Sequence, residues 1–251
     1  MEILEHPPLL HIPAIPDHIL YTWFVMVILV VVSVFAARRV SLVPTGSQNF
    51  MEMALEQFLK ELDETIGPGG RRYLPLIATL GLFIVVSNLM GLVQGLVAPT
   101  ANLNTTVACA LIVFVTYHVI GVRKQGLIPY IKHFAGPVPL VIKPLMFVIE
   151  IVSHLARPLS LSLRLFGNMF SGHALFAFLF FLMGFDNLLG WALSGSLGGI
   201  VIGGSATVIA IAFTVGFLYP LKILVAVIQA FVFCKLAIVY IAAAVEEAEH
   251  H

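Results

Sequence analysis

An arginine at position 164 stands inside a long apolar stretch, and no acidic residue lies between Glu150 and Asp186. A guanidinium keeps its charge, because its pKa stays above ~12. A fixed cation at membrane depth costs roughly 2.5–3.5 kcal/mol on insertion scales. Such a side chain is expected to face a partner, a water-filled cavity or a moving counter-charge. On a helical wheel at ~100° per residue, Glu150, Ser153, Arg157, Ser160, Asn168 and Ser171 fall within about 40° of Arg164. Lipid cannot satisfy that stripe, so it is expected to face protein or water. Hydrogen bonding between helices explains the serines and Asn168 equally well. It does not neutralise Arg164.

Other titratable groups flank the arginine. His173 lies ~13 Å further along the axis and roughly opposite on the wheel. An imidazole at that depth suits proton passage, or alternatively a hydrogen bond across a helix interface. Glu150, ~21 Å in the other direction, suits a water-accessible vestibule, or else a pair with His154 at i+4 or with Lys143 near the headgroups. Farther on come Lys222, Gln229 and Lys235, with Lys222 and Gln229 one heptad apart on about the same face. Gln229 can hydrogen-bond a guanidinium but cannot neutralise one. Acidic residues after Asp186 are confined to the C-terminal tail. The counter-ion of Arg164 is therefore expected from another helix or another subunit.

The same inventory argues against other chemistry. His6, His11 and His18 lack metal-ligand spacing, and His154 and His173 stand roughly 28 Å apart on one helix. No His-Glu-x-x-His or Gly-x-Ser-x-Gly pattern is present. Cys109 and Cys234 lie in apolar runs and read as small buried hydrophobes, not as a disulfide. Asn88 reads as a helix–helix hydrogen bonder. No metal, cofactor or intramembrane enzyme is expected.

The positioning elements follow from composition. The chain is 60% hydrophobic and 10% charged with a formal net charge of +0, and its mean hydropathy is +1.03. These values describe a polytopic all-α membrane protein and give no reason to expect a nucleic-acid partner. A first span is expected at 19–37, closed by Arg38-Arg39. Residues 47–66 carry apolar residues at i, i+3, i+4 against Glu52, Glu56, Lys60, Glu61 and Asp63, the pattern of an amphipathic surface helix. A hairpin of spans is expected at 73–97 and 105–122, bounded by Arg71-Arg72 and Arg123-Lys124, with a loop over 123–137. The three basic pairs fall on one side, which the positive-inside rule makes cytoplasmic, with the N-terminus outside. Residues 138–185 and 197–245 are apolar runs of nearly 50 residues. At ~1.5 Å rise each makes a helix of roughly 70 Å, more than twice the bilayer core, so two long tilted helices are expected, with Pro158 and Pro220 as kink candidates. Five crossings put the C-terminus inside.

The run Pro158-Leu-Ser-Leu-Ser-Leu-Arg164-Leu-Phe-Gly-Asn168-Met resembles the signature of subunit a of bacterial F-type ATP synthases. So do residues 87–92 with 99–106, and the stretch from Gln229 to Phe233. The resemblance implies a non-catalytic stator subunit of the bacterial plasma membrane. Its implied partners are a rotating c-ring bearing a carboxylate on each c subunit, the subunit b peripheral stalk and the rest of the synthase. It implies two proton half-channels that load and unload the ring, with Arg164 as the gate and Gln229 facing it. Glu150, Ser153, Ser160, Asn168, His173 and Lys222 are implied as polar residues of the half-channels. Many relatives carry Glu where this chain has His173, and His where it has Lys222. The rival reading is an ion-coupled secondary transporter binding an anion on the Arg164 stripe.

Overall fold

The computed structural model describes residues 15–37, 46–93, 95–133, 142–182, 190–191, 193, 196 and 198–246. Outside them lie His6, His11, the Arg38-Arg39 pair, the start of the first long run at Val138, most of the connection after Phe185 and the tail from 247. Among the described residues the regular elements are helices, and five are long and apolar enough to cross a membrane. In chain order these elements are α1 (Asp17–Ala37), the amphipathic α2 (Ser47–Thr65), a 3-10 turn (Pro68–Tyr73), α3 (Leu74–Met90), α4 (Leu103–Gln125), the short α5 (Leu127–His133) and α6 (Lys143–Leu182). The last long helix contains α7 (Gly204–Phe213) and α8 (Tyr219–Glu246), with π-helical turns at Gly199–Gly203 and Thr214–Leu218.

Two boundaries differ from the hydropathy pattern. The second span stops being helical at Met90 rather than continuing to 97. Beyond it the chain doubles back so tightly that a Cβ on Gly91 would come within 2.7 Å of Ala98 Cβ. Gly95 takes φ 87°, a left-handed conformation that favours glycine, and Tyr21 donates its hydroxyl to the Gly95 carbonyl at 3.2 Å. Gln94 is the one strongly polar residue between Met90 and Pro99, so hydropathy did not mark this turn. The segment after Arg123-Lys124, expected as a loop, contains α5.

The two long C-terminal helices set the geometry of the site. At ~1.5 Å per residue, α6 and the last helix are each roughly 60 Å long or more, so only tilt or curvature fits them to a ~30 Å core. Pro158 lies inside α6. Pro220 lies two residues beyond the π-helical turn Thr214–Leu218, where its missing N–H leaves the Gly216 carbonyl without the usual donor and the helix widens.

Small residues bring the helices together. On α8, Ala226, Ala230, Cys234, Ala237 and Ala244 are buried, and their spacing draws one seam along the helix. This seam packs on α3 and α4, the close approach that small side chains permit where apolar burial gives no drive. Gly81 of α3 is the tightest point, because a Cβ there would lie 2.7 Å from Phe58 Cζ and 2.8 Å from Cys234 Sγ. We expect Gly81→Ala to destabilise the subunit by about 1–3 kcal/mol through overpacking. Thermal denaturation in detergent checks this, and Cys234→Ala in the same chain should recover part of the loss.

Amphipathic α2 is tied down by charge as well as by its apolar face. Leu62 is fully buried, Lys235 Nζ reaches Glu61 Oε2 at 2.9 Å, and Arg71 donates to both carboxylate oxygens of Asp63 at 3.1 and 2.8 Å. The hydrogen bond from Arg71 holds the Asp63 carboxyl below its ordinary value of 3.8. A depressed carboxylate pKa stabilises above the ordinary value, and the effect is lost as pH falls through the folded one. The Asp63–Arg71 link is therefore intact at neutral pH.

Candidate functional site

The face that α6 presents to the rest of the chain is set by His154, Leu161, Ser162, Leu165 and Met169, all buried. At ~100° per residue that packed face is centred about 100° around the helix from Arg164. Arg164 therefore stands beside the seam and is exposed on the chain, as are Ser153 and Ser160. Among the described residues no ion pair or side-chain hydrogen bond engages Arg164. A polar seam within this chain thus does not account for the middle of the stripe. Gln229 is half-buried on α8, and its Nε2 is a buried donor without an acceptor.

Beyond Arg164, toward the end of the bundle opposite the basic pairs, three helices line a half-open cavity of about 330 Å³. Asn88 and Gly91 line it from the end of α3, Asn168, Ser171 and His173 from α6, and Lys222 from α8. Four residues placed apart by the sequence are thereby gathered in one space: Asn88, Asn168, His173 and Lys222. Asn88 is fully buried, donates to the Ala226 carbonyl at 3.2 Å and accepts from Thr100 at 2.8 Å, so it is both the helix linker expected and part of the wall. Lys222 Nζ lies 3.8 Å from the centre of the Phe176 ring, a cation–π contact that holds an ammonium without a carboxylate. Its stem passes over Gly172, where a Cβ would sit 3.0 Å from Lys222 Cε. Ser171 donates to the Asn168 carbonyl within the helix at 3.0 Å.

At the basic end the arrangement is different. Glu150 Oε1 lies 3.2 Å from His154 Nε2, so the i+4 pairing open to Glu150 is the one adopted. His154 Nδ1 lies 3.2 Å from the Tyr117 hydroxyl of α4. The Arg157 guanidinium, part of the stripe, sits over the rings of Tyr117 and Tyr240 at 5.8 and 5.4 Å. Tyr117, His118 and Tyr240 were not singled out from the sequence. The available signal was the Tyr-His pair at 117–118 inside an apolar span.

The matching residues extend well beyond the motif. The family model described as ATP synthase A chain matches residues 19–242. The chain belongs to the ATP synthase A chain family. It is similar to "ATP synthase subunit a" of Geobacter sulfurreducens, at 46% identity over 92% of this chain and 89% of the relative. It is likewise similar to the subunit a of Trichlorobacter lovleyi, at 43% identity over 98% of this chain and 94% of the relative, and to that of Citrifermentans bemidjiense, at 46% over 92% and 89%. In this member of the ATP synthase A chain family, two groups of polar residues flank Arg164 along α6. One surrounds the cavity and the other surrounds Tyr117, with Arg164 between them.

Proposed function

We propose that the chain is the stator subunit of the membrane sector of a rotary ATP synthase and forms the two proton half-channels that serve a ring of carboxylate-bearing subunits. The observation that carries this reading is the exposed guanidinium of Arg164 on a membrane-spanning helix, engaged by none of the described residues. A fixed cation at membrane depth costs roughly 2.5–3.5 kcal/mol on insertion scales unless it meets a counter-charge. A carboxylate supplied by a neighbouring subunit can reach Arg164, which is exposed on the chain. The relatives' name, ATP synthase subunit a, supports the same assignment.

The two clusters supply paths on either side of the gate. The cavity at Asn88, Asn168, Ser171, His173 and Lys222 takes up protons from outside, with a His173 ring nitrogen as the acceptor. The proton passes to a ring carboxylate, which becomes neutral and rotates through lipid. Returning to the stator from the other side, the carboxylic acid meets the basic end, where Glu150 and Ser153 line release to the cytoplasm. Arg164 favours the ionised carboxylate by charge pairing in low dielectric and repels free cations. It gates and carries no proton. In this reading the subunit is non-catalytic, spans the bacterial inner membrane with its N-terminus outside, and meets the peripheral stalk subunit b on a face away from the ring.

A secondary transporter closes its binding site within its own chain, whereas Arg164 is left exposed here. In vesicles stripped of the soluble catalytic sector, proton conduction should depend on the chain together with its ring. It should stop when a carbodiimide caps the ring carboxylate and should not respond to Na⁺ at fixed pH. Coupled transport of a solute anion by the chain alone would overturn the assignment.

A further inference from the structure

The polar cluster at the basic end contains a chain of groups that the gate itself does not require. Glu150, His154 and Tyr117 follow one another at 3.2 Å and 3.2 Å. Side-chain exposure falls from 35% at Glu150 to 10% at His154, and Tyr117 is 1% exposed. A proton wire must reach water at both ends, and this one runs into the core. Its shape suits holding a group in place, not conduction.

The packing shows what is held. The Tyr117 ring is fixed edge-on to Phe114 at 5.5 Å and stacked with the His154 imidazole at 5.8 Å and 29°. The hydroxyl is thereby aimed at His154 Nδ1. When it donates there, the proton of a neutral imidazole sits on Nε2, since the bond made by one ring nitrogen sets the state of the other. Nε2–H then donates to Glu150 Oε1. Other charged or titratable groups facing this pair are His118 from α4, whose ring lies 5.3 Å from that of His154, and Tyr130 from α5, 6.0 Å from His118. Arg157 from α6 and Tyr240 from α8 complete the surround.

We infer that His154 is a positioning residue, with its tautomer set by Tyr117, and that it clamps the Glu150 carboxylate at the mouth of the cytoplasmic release path. The inference rests on the half-channel reading above. A glutamate on a helix flank samples several rotamers, and the imidazole selects one. Tyr117 lies on α4, so the clamp also registers the mouth of the path against a second helix.

The test is ATP synthesis by vesicles carrying the whole complex, followed over inside pH at constant driving force. His154→Ala should lower the rate about tenfold, the scale of one hydrogen bond to a charged group, and shift the inside-pH profile in the same sense as Glu150→Gln. His154→Gln, which keeps an N–H donor, should recover much of the rate. Tyr117→Phe keeps the ring packing and loses only the hydroxyl, so it should shift the profile with normal assembly. Wild-type profiles in Tyr117→Phe and in either assembled His154 variant, beside a shifted Glu150→Gln, overturn the clamp. A uniform loss of rate with an unmoved profile also overturns it, since that marks packing alone. Failure of the underlying reading looks different: Glu150→Gln itself would leave the profile unmoved.

Discussion

Arg164→Ala is expected to abolish proton-driven ATP synthesis while the complex still assembles. Assembly survives because Arg164 is exposed on the chain and engaged by no described residue, and substitutions at such positions usually change stability by less than about 0.5 kcal/mol. Function is lost because the charge does two jobs at once. At 4 Å and an effective dielectric of 20, a guanidinium favours an ionised carboxylate by about 4 kcal/mol, which is about a thousandfold in the population of the ionised form. Without it the ring site stays protonated as it passes the stator, so one half-channel no longer empties the site and the other no longer refills it. The same cation bars protons from passing directly between the cavity and the basic end, so the variant should leak. Arg164→Lys should also fail to sustain normal rates, because an ammonium lacks the planar fork that meets a carboxylate through two bonds. The measurements are ATP synthesis in energised vesicles, decay of the imposed pH difference, and co-purification of the ring. Synthesis at the wild-type rate would refute the gate.

The candidate residue Arg164 was legible in the sequence because its background is apolar. Against leucines and phenylalanines each polar residue of α6 stands out, and the absence of acids between Glu150 and Asp186 already sends the partner of Arg164 elsewhere. The long helices were legible too, since counting residues against bilayer thickness needs no tertiary information. What a wheel omits is the neighbouring helix. It shows the face on which Glu150 and Arg157 lie, but not that Tyr117, 37 residues before His154, closes on that face. Nor does it reveal that the stripe is divided: Asn168 and Ser171 turn to the cavity, Arg157 covers aromatic rings, and Ser160 and Arg164 stay exposed. The packed seam lies about 100° from Arg164, so small changes in its course decide which polar residues fall inside. The turn after Met90 was hidden because glycine and valine can end a helix without changing hydropathy.

The cavity proposed for proton uptake carries the second large expected effect. His173 and Lys222 are the titratable groups among the described residues lining the 330 Å³ cavity. Water enters polar cavities of that size and leaves apolar ones dry. Changing both residues to leucine should cut synthesis by about a hundredfold, the scale of losing a positioned acid–base group. The defect should appear at the outside: rates should no longer follow outside pH while inside pH is held constant. In contrast to Arg164→Ala, the vesicles should stay tight to protons, because the gate remains. The pair His173→Glu with Lys222→His keeps a titratable group at each of these two positions. It should keep the rate within about threefold of wild type, less than 1 kcal/mol of activation free energy, with the outside-pH profile displaced. The side chains have room to exchange, since Lys222 lies along Gly172 and over the Phe176 ring and a shorter imidazole needs less of that space. If the double leucine variant makes ATP at the wild-type rate with an unmoved outside-pH profile, protons reach the ring by another route, and the cavity is a packing defect between three helices.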